Sequence, residues 1–313
     1  MTRTTFSRRT AFLAAAVLAM PLLAGCPTAN TDTRSTTTGG TATGGTPENK
    51  GDDTTGGSLT ISGSDTIRPL SERWVEEFNK QSPASISVKG GGSGQGISAL
   101  INKSVDIANS SRKMKDEEMK TAEGKGLKVT EIAVAMDGIT IIVNPKNPIK
   151  SLTIQQLADI YTGKVKDWKE IGGTPGKIVA IGRDSSSGTY EFFKEDVLKK
   201  ADYRSDMVQS KANPAIGTSV GQNAGAIGYI GVAFASEYVK AGKVKEMPVA
   251  FKDGDEPILP TVENVHSGKY PISRSLYNYV AGEPEGLTKA YLDFVRSEEG
   301  QKIVADEGYI TLK

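Results

Sequence analysis

The chain has 313 residues, 38 basic and 37 acidic, for a formal charge of +1, and is long enough for two medium domains with real cores. That near-balance gives no electrostatic footprint for nucleic acid. One cysteine, Cys26, and one histidine, His266, exclude an internal disulfide and a zinc site of the usual Cys/His type.

Residues 1–25 read as a targeting signal. Arg3, Arg8 and Arg9 precede the apolar stretch AFLAAAVLAMPLLAG, which is too short to span a bilayer comfortably. The stretch ends in Leu23-Ala24-Gly25-Cys26, which looks like a bacterial lipobox. In that reading Cys26 becomes the first mature residue and carries lipid, and removal of the three arginines takes the charge from +1 to −2. SRRTAFL also resembles a twin-arginine signal with one residue too many, so both export routes stay open. Residues 26–57 hold almost no large apolar side chain. Such a composition cannot bury a core and predicts a disordered Thr/Gly-rich leash.

Order is predicted from SLTISGSDT onward. Leu59-Thr60-Ile61 alternate as a strand, and Leu70, Trp74, Val75 and Phe78 follow at helical spacing. ASISVKG reads as a strand, GGSGQG as a loop and ISALINKS as a helix. VDIANSSR is strand then loop, KDEEMKTAEG is a helix ending at Gly124, and LKVTEIAVAMDGITIIVNP is a long apolar β run. SLTIQQLADIYTG predicts an amphipathic helix closed by Gly163, KIVAIGRDSSSGT a strand and loop, and AGAIGYIGVAFA a Gly-rich buried strand. GLTKAYLDFVRSEEGQKIVADEG closes the chain as a helix. The alternation argues for an α/β fold with largely parallel strands covered by helices. Trp74, Phe78, Phe192, Phe193 and Tyr229 read as core, and His266 as a surface-loop residue.

Four loops share one character: Ser62-Gly63-Ser64-Asp65-Thr66, Gly92-Ser93-Gly94, Asn109-Ser110-Ser111-Arg112 and Ser185-Ser186-Ser187-Gly188-Thr189. Each follows a predicted strand, and three lead into a helix. In open α/β sheets, ligands sit beyond the carboxyl ends of the strands, where helix N-termini offer free N–H groups and partial positive charge. Taken singly, each loop is a capped helix start. Taken together, with Ser64, Thr66, Ser93, Ser111, Ser187 and Thr189 as hydroxyl donors and Gly188 allowing close approach, they can surround a small tetrahedral oxyanion. Arg183 adds a permanent charge and a fork of donors shaped for such oxygens. Asp65 and Asp184 read as local caps.

Competing motifs fail on detail. GGSGQGIS has the glycine spacing of a P-loop, but Ile97 stands where its lysine belongs. GQGISA is a loose dinucleotide pattern. DSSSG has Asp184 in place of the first glycine of a nucleophile elbow.

The ordered series SGSDT, GGGSGQGISAL, DIANSSR, IAVAMDGITIIVNP, LTIQQLADIYTGKVKDWKEIGG, GRDSSSGTYEFF and AIGYIG resembles the phosphate-binding proteins of bacterial ABC phosphate importers, over most of residues 58–313. That resemblance implies a two-lobe type II periplasmic binding protein fold, each lobe a mostly parallel sheet flanked by helices, with two hinge crossings. The expected lobes are 58–140 plus 240–313, and 141–239, with one crossing near Asp137–Asn144 and the return near Ile230–Lys243. It implies an extracytoplasmic, lipid-anchored or periplasmic monomer. Such a protein closes on inorganic phosphate and delivers it to permease subunits without catalysis or cofactor. By position, Thr66, the Ile67 backbone and Ser93 fall on the first two phosphate loops, and Arg183, Ser187, Gly188 and Thr189 on an R-x-x-x-S-G-T element. Many members place an aspartate in the third loop. Here that loop has no acid, and Asp137 is the candidate substitute. A carboxylate there would accept the proton of hydrogen phosphate and reject sulfate. The alternatives are a binder of sulfate, tungstate or molybdate, or an envelope phosphatase.

Overall fold

In the computed structural model, which describes residues 57–312, the period-two and period-3.6 stretches become alternating strands and helices. The signal, the Cys26 anchor and almost all of the leash lie outside the described residues. The chain runs β1 (Ser58–Gly63), α1 (Arg68–Phe78), β2 (Ser85–Lys89), α2 (Ser93–Ile101), β3 (Ile107–Ser110), α3 (Asp116–Gly124) and the long β4 (Val129–Val143). It continues through β5 (Leu152–Thr153), α4 (Ile154–Thr162), a short 3-10 turn at Trp168–Ile171, β6 (Val179–Arg183), α5 (Gly188–Asp196) and β7 (Val208–Ser210). Next come α6 (Asn213–Gln222), β8 (Ala226–Gly231), α7 (Val232–Lys240), β9 (Lys245–Met247) and β10 (Val249–Ala250). The chain ends with α8 (Val262–His266), β11 (Ser273–Ala281), α9 (Gly286–Arg296) and α10 (Glu298–Asp306).

The main sheet runs β2-β1-β3-β11-β4-β8-β6-β7, with β9 also paired to β4. Its outer strands are parallel: β1 with β2 and β3, and β6 with β7 and β8. Its middle is antiparallel, because β11 pairs with β3 and β4, and β4 pairs with β8 and β9. One strand serves two neighbourhoods: β4 pairs with β11 up to Gly138 and with β8 from Ile139. From Gly138 to Val143 every residue of β4 is buried, as a strand covered on both faces must be.

Of four apolar clusters among the described residues, the two largest flank this shared strand. One gathers Ile61, Ile67, Trp74, Phe78, Leu276 and Val304. The other gathers Ile141, Tyr161, Phe193, Tyr229, Met247 and Tyr270, with the Phe193 and Tyr229 rings stacked at 4.2 Å. Trp74, Phe78, Phe193 and Tyr229 are thus core residues as expected, whereas Phe192 is only partly buried and lies 5.5 Å below the Arg274 guanidinium. Gly163 ends α4 in the left-handed region at φ 80°, where a glycine avoids the Cβ penalty.

Five expectations change. AGAIGYIGVAFA is strand only to Gly231 and helix from Val232, because pairing with β4 runs out at the Ile139–Gly231 pair. GGSGQG is not all loop: α2 begins at Ser93, and a Cβ at Gly96 would stand 2.5 Å from the Ser62 carbonyl, so that helix turn needs glycine to pack on β1. The final helix breaks at Ser297, whose hydroxyl accepts from the Gly300 amide and starts α10. His266 ends α8 rather than sitting in a loop, partly buried with Nε2 2.8 Å from the Thr311 carbonyl. The return of the chain also lies later than the 230–243 window. β9 still pairs with Ile141–Val143 and β10 with β5, so only at Ser273 does the chain rejoin the first group of strands.

The Trp74 indole donates to the Gly300 carbonyl at 2.8 Å from a fully buried position, tying α10 to α1. Trp74→Ala is expected to cost about 3–5 kcal/mol in urea denaturation. A loss under about 1 kcal/mol would show that the site collapses without penalty.

Candidate functional site

Parallel strands β1, β3 and β6 end at Gly63, Ser110 and Arg183, and the loops that follow them meet. The Ser64 hydroxyl bonds Ser111 Oγ at 3.0 Å, and Ser93 Oγ lies 3.3 Å from the same oxygen. Thr66 Oγ1 lies 3.1 Å from Thr189 Oγ1, joining the loop after β1 to the N-terminus of α5. The Gly94 amide donates to the Ser186 carbonyl at 3.3 Å, a second tie between the two sides. Glycine is obligatory at the centre. A Cβ on Gly188 would stand 2.2 Å from Ser93 Oγ and 2.7 Å from Ser111 Oγ.

The hydroxyls are already polarised. Ser64 Oγ accepts from the Thr66 amide at 3.1 Å, Ser93 Oγ from the Ser111 amide at 3.0 Å, and Ser187 Oγ from the Thr189 amide at 3.1 Å. Thr189 Oγ1 accepts from Arg274 Nη2 at 2.9 Å. An amide or a guanidinium can only donate, so each of these oxygens takes the acceptor role there; Ser64 gives its own O–H to Ser111 Oγ, and the others keep theirs to give. The result is a cluster of donors, fitted to an anion.

Two buried arginines stand beside it, Arg183 with 1% and Arg274 with 5% of its surface exposed. Arg183 Nη2 donates to Asp65 Oδ2 at 3.2 Å and to the Lys211 carbonyl at 2.8 Å, while its buried Nε and Nη1 have no protein partner. Arg274 Nε and Nη2 both donate to Asp137 Oδ2, at 3.2 and 2.8 Å, and Nη1 donates to the Ser111 carbonyl at 2.7 Å. Asp137 is fully buried, and its Oδ1 has no partner at bonding geometry. Burial lowers the proton affinity of both guanidinium groups, and the like charge of Arg274 adds to the effect on Arg183. Burial raises the Asp137 carboxyl above its ordinary value, opposed by Arg274. Open donors on one arginine and an open acceptor on one carboxylate are costly in a dry site unless a bound group completes them.

A family model described as a PBP superfamily domain matches residues 48–299. The phosphate-binding protein PstS of Pseudomonas aeruginosa is 34% identical over 85% of this chain and 86% of its own length. That of Bacillus subtilis is 37% identical over 83% of each. The chain belongs to the PstS family. Among solved structures, a Clostridium perfringens substrate-binding protein assigned to phosphate ABC transport, with phosphate bound, superposes with a TM-score of 0.72 at 33% identity, covering 82% of this chain and 100% of that one. An ABC-type phosphate transport receptor from Vibrio cholerae gives 0.68 at 29% identity, over 81% of this chain and 100% of its own. These PstS-family likenesses carry the type II periplasmic binding protein fold with them.

Ser64, Thr66, Ser93, Ser111, Asp137 and Thr189 are joined through Arg274 in one hydrogen-bonded cluster, Gly188 packs on Ser93 and Ser111, and Arg183 bonds Asp65 and the Lys211 carbonyl instead. Ser187 borders it as the cap of α5. Ile67 is placed differently: its side chain is in the core and its amide turns back to the Ser64 carbonyl at 3.2 Å. Asp184 is a local cap, accepting from the Ser186 amide at 2.9 Å. Asp65 is not; it joins Arg183 to the Gly91 amide, accepting at 3.1 Å. In the third loop only Ser111 faces the cluster. The Asn109 amide donates to Ser71 Oγ, Ser110 Oγ to the Arg112 carbonyl, and Arg112 forks onto Glu118. Sequence reasoning missed Arg274. Its signal was a lone charge inside the β run ISRSLYNYVA, where a strand between two others leaves no water for it.

Gly188→Ala is expected to push the α5 loop off Ser93 and Ser111 and hold the two sides apart. Small-angle scattering should show a larger radius of gyration than the wild type under the same buffer. An unchanged radius with an unchanged melting temperature would mean that the serine hydroxyls yield instead.

Proposed function

We propose that this chain is an extracytoplasmic receptor that binds inorganic phosphate and delivers it to the permease subunits of an ABC importer, as a monomer held to the membrane through lipid on Cys26. The observation that carries this reading is the set of open polar atoms at the hydroxyl cluster: Nε and Nη1 of Arg183 and Oδ1 of Asp137, all buried. The names of the P. aeruginosa and B. subtilis relatives and the phosphate bound to the C. perfringens neighbour support it.

In this reading the free donors of Arg183 and the O–H groups of Ser64, Thr66, Ser93, Ser111, Ser187 and Thr189 supply hydrogen bonds to the phosphate oxygens. Gly188 lets the backbone come close. Asp137 Oδ1 accepts the proton that hydrogen phosphate carries. Sulfate has none to offer and would face a bare carboxylate oxygen, a like-charge contact with no water to screen it. Binding energy is drawn from both sides of the cluster, so the ion favours their approach, and the importer reads the closed form. Nothing is transformed. An envelope phosphatase would instead release product from a phosphate ester.

Calorimetry with phosphate, competed by sulfate and molybdate, tests the reading. Arg183→Ala should weaken phosphate at least about tenfold, the scale of a charge-assisted hydrogen bond at about 1.5–3 kcal/mol. Asp137→Asn should raise sulfate affinity relative to phosphate. Preference for sulfate or molybdate in the wild type would move the assignment to another oxyanion, and hydrolysis of a phosphate ester would move it to an enzyme.

A further inference from the structure

Arg274 makes contacts of two kinds at once. On β11 it stands in register opposite Asp137 of β4, at the last pair but one before β4 exchanges β11 for β8. Two of its nitrogens converge on one carboxylate oxygen, Oδ2, and leave Oδ1 open. The same Nη2 reaches Thr189 Oγ1 on α5, and Nη1 holds the Ser111 carbonyl of the third loop. A usual arginine–carboxylate pair engages both oxygens side by side. Here the fork is turned so that one oxygen is saturated and the other is spare.

We propose that Arg274 is the positioning residue that sets the ligand specificity of this site. By gripping Oδ2 of Asp137 and the hydroxyl of Thr189 together, it keeps the carboxylate an acceptor and the hydroxyl a donor. The pocket then takes an oxyanion that brings a proton and refuses one that does not. The proposal rests on the phosphate-receptor reading above.

The Val232 amide also favours the carboxylate form of Asp137, but less than Arg274 does. The other ionisable groups that sense Asp137 are Tyr270, before β11, and Tyr309, after α10. Both phenols are pushed well above their ordinary range by burial, so they are neutral, and both give their protons away: Tyr270 to the Ile139 carbonyl and Tyr309 to the Thr66 carbonyl, each at 2.7 Å. Burial favours the protonated carboxyl, and Arg274 is the main opposing influence. Without that guanidinium, Asp137 would hold a proton to higher pH. Its open oxygen would then present O–H, a donor, and welcome a dianion such as sulfate.

The sign of the effect makes it measurable. Sulfate stays a dianion across about pH 4 to 8, the span of ordinary carboxyl and imidazole titration, so any pH dependence of its binding comes from the protein. For the wild type, sulfate affinity should be poor near neutrality and climb on acidification as Asp137 gains a proton. In Arg274→Gln the climb should begin at higher pH, and the preference for phosphate over sulfate at neutral pH should fall at least about tenfold. Arg274→Lys keeps the charge and should hold the onset near that of the wild type. The double variant Asp137→Asn, Arg274→Gln removes both buried charges and should bind sulfate with no onset at all. An Arg274→Gln onset equal to the wild type overturns the proposal. If Arg274→Gln does not fold, a wild-type sulfate profile that is flat with pH, or a double variant that still climbs on acidification, overturns it equally. Failure of the wild type to bind phosphate at all would instead strike the receptor reading.

Discussion

A charged ion leaves water only where every hydrogen bond it gives up is replaced, and the protein must hold those replacements ready without letting them satisfy one another. This constraint governs the loops after β1, β3 and β6. The side-chain hydroxyls do meet one another, Ser64 and Ser93 at Ser111 and Thr66 at Thr189. Here the amides of Thr66, Ser111 and Thr189, and the guanidinium of Arg274, occupy the acceptor side of four of those oxygens. Their donor sides are left for a neighbouring hydroxyl or a bound ion. Preorganisation of this kind is set during folding, so the ion does not meet that ordering cost when it binds.

The sheet is what makes such an arrangement possible. Parallel strands send their carboxyl ends to one edge, and β1, β3 and β6 deliver three loops there. Those strands belong to two groups joined through β4 and β11, and the Asp137–Arg274 pair lies where β4 changes neighbour. A buried ion pair contributes little net stability compared with a well-packed apolar pair, because desolvation offsets most of its attraction. Its placement is therefore better explained by geometry than by stability. It locks the register of the crossing strands and fixes the angle at which α5 meets the third loop.

Much of this was legible in the sequence, for reasons that differ by residue. Arg183, Ser187, Gly188 and Thr189 are contiguous at a strand-to-helix junction, so local chemistry announces them. Ser64, Thr66 and Ser93 follow strands in the same way. Period-two and period-3.6 patterning located β1, α1, β6 and α4, because one face of each meets an apolar core. What failed depended on distant partners. Val232 starts a helix because β4 has no further pairing to offer at Gly231, and no local signal marks that limit. Asp65 looked like a cap, yet its partners are Gly91 and Arg183, brought near by the sheet. Arg274 lies far along the chain from every loop it serves, inside a strand, between Ser273 and Ser275. Only the register with Asp137 gives it meaning.

The balance of charge around the cluster follows from the same logic. Two guanidinium groups, Arg183 and Arg274, are buried near enough that Arg274 lowers Arg183's hold on its proton. Each is answered by one carboxylate, Asp65 and Asp137 respectively. Asp184 adds a second negative charge near Arg183, so the immediate surroundings carry no excess positive charge before any ion enters. A site built on excess positive charge would hold any oxyanion, and salt would weaken it. A site without excess positive charge, with directed donors and one spare acceptor, discriminates by hydrogen-bond count and direction, which survives salt because the contacts are buried. Specificity in such a site comes from what each oxygen of the ligand can give or take, and in the proposed reading the open oxygen of Asp137 is the position that asks it to give.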